Sequence, residues 1–186
     1  MMRIITGKAR GVRLDTLPGE NTRPTAERAK EAVFSMLQFE LAQRRVLDLF
    51  AGSGQMALEA LSRGAAQATL VDVSREAVSV IGRNVKKTRM EAECRVVCAD
   101  YAAFCRSVRG NVYDLIFLDP PYALRLVCPA LSLLLEAGAI ADGALIVCES
   151  EEEDIFEADE ALRERFELLR RTRYGAAHMT VLRYRG

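Results

Sequence analysis

The chain has no Cys-x-x-Cys pair, no apolar run long enough to span a bilayer, no leader-like stretch before Arg3, no surplus of either charge and a single histidine, His178. Each absence excludes something. Five cysteines, Cys94, Cys98, Cys105, Cys128 and Cys148, are odd in number and unpaired in spacing. They argue against a disulfide framework or a thiolate metal site and read as small buried side chains in a reducing compartment. Without a leader or a span, the expected location is the cytoplasm, away from any membrane. Twenty-six Lys and Arg balance 26 Asp and Glu, which excludes a uniformly basic nucleic-acid coat, so any basic surface has to be local. A lone histidine in a strand-like run is more often structural than a general base, and no metal centre is expected. At 186 residues, half of them apolar, the chain is expected to be one domain (1–186), large enough for a core without staples.

What is present is organised around Leu115-Ile116-Phe117-Leu118-Asp119-Pro120-Pro121-Tyr122. A short apolar run ended by a carboxylate and two prolines predicts a tetrapeptide leaving the carboxyl edge of a buried strand, the edge where open α/β sheets hold ligands. Two prolines remove two backbone donors and stiffen φ. Asp119 and the Pro120 carbonyl remain as acceptors, with the aromatic face of Tyr122 beside them. Such a set suits an amino group on a flat ring. With both amine hydrogens held, the nitrogen can pyramidalise and aim its lone pair at an electrophile, while stacking on Tyr122 contributes roughly 1 to 3 kcal/mol per base.

Upstream, Arg45 to Phe50 reads as a buried strand and Ala51-Gly52-Ser53-Gly54 as a tight turn into a helix over Gln55 to Arg63. Ala68 to Asp72 is a second strand whose terminal acid can accept both hydroxyls of a ribose. The third glycine of the dinucleotide fingerprint is missing, and Asp48 stands before the turn, where it repels a pyrophosphate and attracts an ammonium group. Cys94 to Cys98 is a third strand leading to Asp100 and Tyr101. Spacing leaves Asp100 equally a cap for a helix over Tyr101 to Ser107 and an acceptor for the amine of adenine. The fourth strand, 113–118, should lie beside the first, so the glycine turn and Asp119 face one crevice.

The flanks carry less chemistry. Residues 1–20 hold Arg3, Lys8, Arg10 and Arg13 with no acid before Asp15. Two strand-like pieces, 3–6 and 11–14, predict a small basic hairpin whose Lys8 and Arg10 contact phosphates. Residues 21–44 predict a helix running to about Leu41 and leading into the sheet, with Pro24 and Thr25 as start signals. A helix over about 124–137 and a strand over 144–149 follow Tyr122. The acidic run of residues 149–160 reads as a solvated face placed away from nucleic acid. Residues 166–173 and 178–184 predict an antiparallel pair at the sheet edge.

The tetrapeptide Asp119 to Tyr122 resembles the signature of S-adenosylmethionine-dependent amino-methyltransferases. Thr22-Arg23-Pro24-Thr25 with Lys30 to Phe34, and Asp48 to Gly54 with Leu58 to Ala65, are similar to segments of the RsmD-type 16S rRNA (guanine-N2)-methyltransferases. The resemblance runs over nearly the whole chain. It implies an α/β, seven-stranded Rossmann-like class I methyltransferase sheet with a small N-terminal β-hairpin, acting as a monomer on 16S rRNA within the 30S subunit or its assembly intermediate. It implies that Asp48, Gly52, Ser53, Gly54, Asp72, Asp100 and Tyr101 hold S-adenosyl-L-methionine. Asp119, Pro120 and Tyr122 are then catalytic, and Arg23, Thr25, Pro121, Lys8 and Arg10 lie against the substrate. Two other readings remain at this stage: an amino-methyltransferase of DNA or of another RNA acting on adenine N6 or cytosine N4, and a non-enzymatic Rossmann-type nucleotide-binding module.

Overall fold

The structure is a computed structural model that describes residues 2–17, 24–108 and 112–186, with the backbone alone for residues 24–27 and 122. Seven strands form one sheet: β1 (Arg45–Asp48), β2 (Gln67–Asp72), β3 (Cys94–Cys98), β4 (Tyr113–Leu118), β5 (Ile140–Ser150), β6 (Phe166–Tyr174) and β7 (Ala177–Tyr184). Their order is 3-2-1-4-5-7-6. Strands β1 to β5 are parallel, and β7 runs antiparallel between β5 and β6. This is the expected seven-stranded sheet with an antiparallel end.

Both faces of the parallel part are covered, which is why its strands are apolar throughout. Val46, Leu70, Leu115, Phe117 and Val147 point toward the face carrying α1 (Pro24–Met36), α2 (Gln55–Ser62) and α3 (Arg75–Thr88). Leu47, Val71, Ile116, Leu118, Ile146 and Cys148 point toward α4 (Tyr101–Ser107) and α5 (Val127–Glu136). The short helix α6 (Glu160–Glu164) precedes β6, and its Leu162 joins the second cluster. Helix α1 is pinned to the sheet by Phe34, whose ring centroid lies 5.9 Å from that of Phe117 and 4.9 Å from the Arg63 guanidinium carbon. Among the described residues no helix is long and apolar enough to cross a membrane.

The amino-terminal hairpin appears as one antiparallel bridge, Arg3 to Arg13, with further bonds from Ile4 N to Val12 O and Leu14 N to Met2 O. It is not a paired ladder. Other amides of it bond to α2: Ile5 N and Thr6 N donate to the Glu59 carboxylate at 2.7 and 3.1 Å, and Ala9 N donates to Ser62 Oγ at 3.0 Å. Glu59 is 1% exposed and also accepts from Arg63 Nε at 2.6 Å. Every residue of α2 is therefore buried, between the sheet on one side and the strap on the other.

Three element bounds differ from expectation. Helix α1 ends at Met36, and the chain to Leu41 runs as turns closed by Glu40 N to Leu37 O and Arg44 N to Leu41 O. Leu37 and Leu41 are both buried, so four-residue spacing of apolar residues was satisfied without a helix. Strand β5 begins at Ile140, because a register shift between Tyr113 and Leu115 absorbs the residues around Gly143, whose φ is 70°. Helix α5 starts at Val127, since Arg125 at φ 47° interrupts the turn that follows Tyr122.

Removing the Glu59 carboxylate leaves two strap amides and a nearly buried guanidinium without their acceptor. Glu59→Ala is expected to lower unfolding stability by about 3 to 5 kcal/mol, measured by urea denaturation.

Candidate active site

Parallel strands that end together deliver their following residues to one edge. Asp48 pairs in register with Leu70 of β2 and with Phe117 of β4, and Phe117 pairs with Val147 of β5. Alternation then puts Asp48, Asp72, Asp119 and Glu149, each two residues beyond an inward apolar residue on its own strand, on the face covered by α1 to α3. Adjacent strands lie about 4.8 Å apart, so the four carboxylates make a row along the edge. The turn after β1 closes into this row. Gly52 N donates to Asp72 Oδ2 at 2.9 Å, Ser74 N donates to Asp72 Oδ1 at 2.8 Å, and Leu49 N reaches Phe117 O at 3.2 Å.

Glycine is required at the turn. Gly52 and Gly54 have φ of 54° and 79°, and a Cβ on Gly54 would stand 2.9 Å from a Leu70 methyl. Ser53 is tied to the strap and to α3. Its hydroxyl donates to Met2 Sδ at 3.1 Å and its carbonyl accepts from Asn84 Nδ2 at 2.9 Å, so the side chain is turned into the strap and away from the crevice. Asn84, fully buried, also exchanges two bonds with the Asp15 backbone, which fixes the turn, α3 and the strap to one another.

Asp48 is the unusual group. It is 2% exposed and accepts one long backbone bond, from Ala57 N at 3.3 Å. Burial pushes its carboxyl up to about 7; the Ala57 bond opposes this, the neighbouring charge of Asp119 adds to it, Lys30 opposes and Asp72 adds. Lys30 on α1 donates to Gln55 Oε1 at 3.2 Å at the first turn of α2. Among the described residues Asp48 has no cation within ion-pair distance, an arrangement that suits an incoming ammonium group. Asp72 has both oxygens oriented by backbone amides with lone pairs left for hydroxyls.

Asp100 is exposed and caps α4, its Oδ1 accepting from Ala102 N and Ala103 N at 3.0 and 3.1 Å. One oxygen does the capping, which leaves the other for a ligand amine. The Tyr101 and Phe50 rings stand 5.5 Å apart, and Val73, directly after Asp72, is 70% exposed. Together they offer apolar flanks to a flat ring at the ends of β1, β2 and β3. Gly52, Gly54 and Asp72 thus fit the nucleoside part of S-adenosylmethionine, and Asp48 fits its amino-acid end.

On the other side of the crevice, Asp119 is half-buried, Pro120 buried and Pro121 exposed. Tyr122 opens a single 3-10 turn, Tyr122–Leu124, held by Leu124 N to Pro121 O at 3.1 Å; its ring lies outside the described side chains. Arg23 lies outside the described residues, and Thr25 is described only as the second residue of α1. Lys8 and Arg10 do not join the others. Lys8 N donates to Ser62 O at the far end of α2, and Lys8 Nζ pairs with Glu93 at 2.5 Å. The eight residues of α2 place that tip roughly 12 Å from the glycine turn.

The acidic run is corrected. Residues 149–160 do not all lie away from the site, because β5 is parallel to β4 and must end at the same edge. Glu149, Glu151 and Glu152 wall a cavity of about 210 Å³ together with Pro120, Leu126 and Val127. His178 pairs with Ser150, and its Nδ1 lies 3.2 Å from Glu151 O, so it secures the end of β5 to β7. Lys30, Val73 and Glu149 were missed from sequence. Glu149 was the most findable, since β1, β2 and β4 also end in or are followed by an acid. No group of three or more His, Cys, Asp or Glu among the described residues is placed to hold a metal ion. Burial pushes the thiols of Cys94 to about 12, of Cys105 and Cys128 to about 11, and of Cys148 further up, so these four are poor nucleophiles.

The family model for conserved hypothetical protein 95 matches residues 2–183. Ribosomal RNA small subunit methyltransferase D of Escherichia coli K12 is 37% identical over 153 residues, covering 82% of this chain and 76% of that protein. The protein of the same name from Haemophilus influenzae is 34% identical over 154 residues, covering 82% and 80%. The solved structure of Escherichia coli yhhF superposes with a TM-score of 0.85 at 33% identity, covering 100% of this chain and 98% of that one.

The folded chain holds the Asp48 proton up to about pH 7, whereas an unfolded carboxyl releases it near 4. The folded state therefore binds more protons in that window, and stability falls as pH rises through it. Asp48→Asn is expected to remove this slope and to stabilise the free protein at pH 8 by on the order of a few kcal/mol, read from denaturation midpoints between pH 5 and 8.

Proposed function

Because the chain belongs to the conserved hypothetical protein 95 family, the family of ribosomal RNA small subunit methyltransferase D, we propose that it transfers a methyl group from S-adenosylmethionine to the exocyclic N2 amine of a guanine in small-subunit rRNA. The observation that carries the reading is the junction of two strand ends: the Gly52 to Gly54 turn after β1 and Asp119-Pro120-Pro121-Tyr122 after β4, on strands paired through Asp48 and Phe117. Bound S-adenosylmethionine supplies a sulfonium methyl carbon that an amine with an available lone pair can take. The residues of the chain provide orientation. Asp48 receives the donor's ammonium, Asp72 its ribose, and Gly52 and Gly54 let the backbone come close. Asp100 and Tyr101 border the adenine. Asp119 and the Pro120 carbonyl accept the two hydrogens of the guanine amine, and Tyr122 stacks on the ring. Pro121 keeps that loop stiff.

The substrate approaches from outside, so its target base has to leave its stack to reach Tyr122. Its phosphates meet the amino-terminal part of the chain. Residues 1–110 hold 18 Lys and Arg against 12 Asp and Glu, and the remainder hold 8 against 14, so zero net charge conceals a polar molecule. Arg3, Arg10 and Arg13 are exposed on the strap, and Arg83 and Lys87 of α3 are tied to it through Asp15. Lys8 and Arg10 serve here as distal phosphate contacts, and Arg23 and Thr25 as further contacts to the substrate. The setting is a 30S particle or its precursor in the cytoplasm, with a single chain supplying the whole site.

Labelled S-adenosylmethionine offered with 30S particles, naked rRNA and duplex DNA is expected to label the particles most strongly, as N2-methylguanosine. Label confined to DNA, or nicotinamide dinucleotide binding without S-adenosylmethionine binding, overturns the reading. Asp119→Ala and Tyr122→Ala are each expected to lower kcat/KM on the order of 100-fold or more, with affinity for S-adenosylhomocysteine little changed by calorimetry.

A further inference from the structure

Beyond Asp119 and Pro120, which hold the amine, the geometry points to Glu149 as the residue that selects guanine among the amine-bearing bases, by accepting the N1–H of the target. The inference rests on the methyltransferase reading above and assigns a specificity role within the same site.

Leu118 pairs in register with Cys148, so Asp119 and Glu149 are the next residues on two adjacent parallel strands. Their backbones stand about 4.8 Å apart at the same level of the edge. Both side chains continue the alternation toward the face of α1, since Phe117 and Val147 lie in the cluster under that helix. Pro120 and Glu149 also meet across a cavity of about 210 Å³, which Arg125, Leu126 and Val127 close on the side of α5. A base held by its amine at Asp119 and Pro120, with its N1 side turned toward β5 and its N3 side away, brings N1 toward Glu149.

The chemistry of that next atom separates the bases. Adenine and cytosine each carry a ring lone pair beside the exocyclic amine, whereas guanine carries N1–H beside N2. An ionised carboxylate has acceptors and no donor. Facing guanine, Glu149 gains a charge-assisted hydrogen bond; facing adenine or cytosine, it opposes a lone pair and leaves two acceptors buried against each other. Asp119 alone holds any amine, and Asp119 with Glu149 holds the guanine edge.

The test keeps the 2-amine and changes the edge beside it. 2,6-Diaminopurine keeps the 2-amine of guanine but has a bare lone pair at N1 and an amine in place of O6. Small-subunit RNA is reconstituted with guanine or 2,6-diaminopurine at the nucleotide that the unmodified protein methylates, located by mass mapping. The unmodified protein is expected to favour guanine by about a hundredfold or more in kcat/KM. Glu149→Gln, whose amide can turn its N–H toward the N1 lone pair, is expected to reduce that preference by about tenfold or more. Its affinity for S-adenosylhomocysteine should match that of the unmodified protein, which shows that the variant is folded. A guanine preference unchanged in Glu149→Gln, with normal S-adenosylhomocysteine binding, overturns the role of Glu149 and leaves the methyltransferase reading intact. Absence of N2-methylguanosine from the unmodified protein overturns the methyltransferase reading itself.

Discussion

Strand β1 lies between β2 and β4, and all three run in the same direction. Whatever follows each strand must therefore emerge at one edge, within two strand spacings, or roughly 10 Å. The glycine turn, Asp72 and Asp119 are brought together by this single constraint. A sheet with β4 reversed would send Asp119 to the opposite end, about a strand length away, and no side-chain substitution could recover the crevice. Hydrogen-bond register does the positioning, and side chains supply the chemistry.

The same constraint creates an electrostatic cost. Four carboxylates share an edge, and the deepest of them, Asp48, is held against burial by a single long amide bond. Such a group weakens the free protein and is relieved when a cation arrives, so part of the binding energy of a cationic donor comes from ending an unfavourable state. The surrounding scaffold is correspondingly rigid. Glu59 anchors the strap to α2, and Asn84 joins the strap, the turn and α3 through three bonds. The deepest carboxylate of the crevice has one long hydrogen bond, while Glu59 and Asn84 in the parts that support it make three each.

Much of this was legible because its causes are local. A buried parallel strand has to be apolar on both faces, and a turn at positive φ has to use glycine, so β1, β2, β4 and the Gly52 to Gly54 turn announce themselves. Asp119 and its prolines do so by stopping a strand abruptly. Other features carry no local signature. Lys8 and Arg10 read as a basic tip, yet their distance from the crevice depends on the strap lying along α2, which is set by a carboxylate more than fifty residues away. Ser53 sits in the turn, but its hydroxyl faces inward because Met2 happens to pack there. Glu149 vanished into an acidic run, since nothing in a string of acids marks the one that lies in register with Asp119.

The order of residues alone determined the elements, the glycine turn and the chemical character of each strand end, because these follow from backbone sterics and from burial on the two faces of a strand. Tertiary structure alone decided which strand ends meet, which carboxylate is dry and which is wet, and which cations lie near the crevice. Those properties depend on register, on helix packing and on the local dielectric, and each is set by partners far away in the chain.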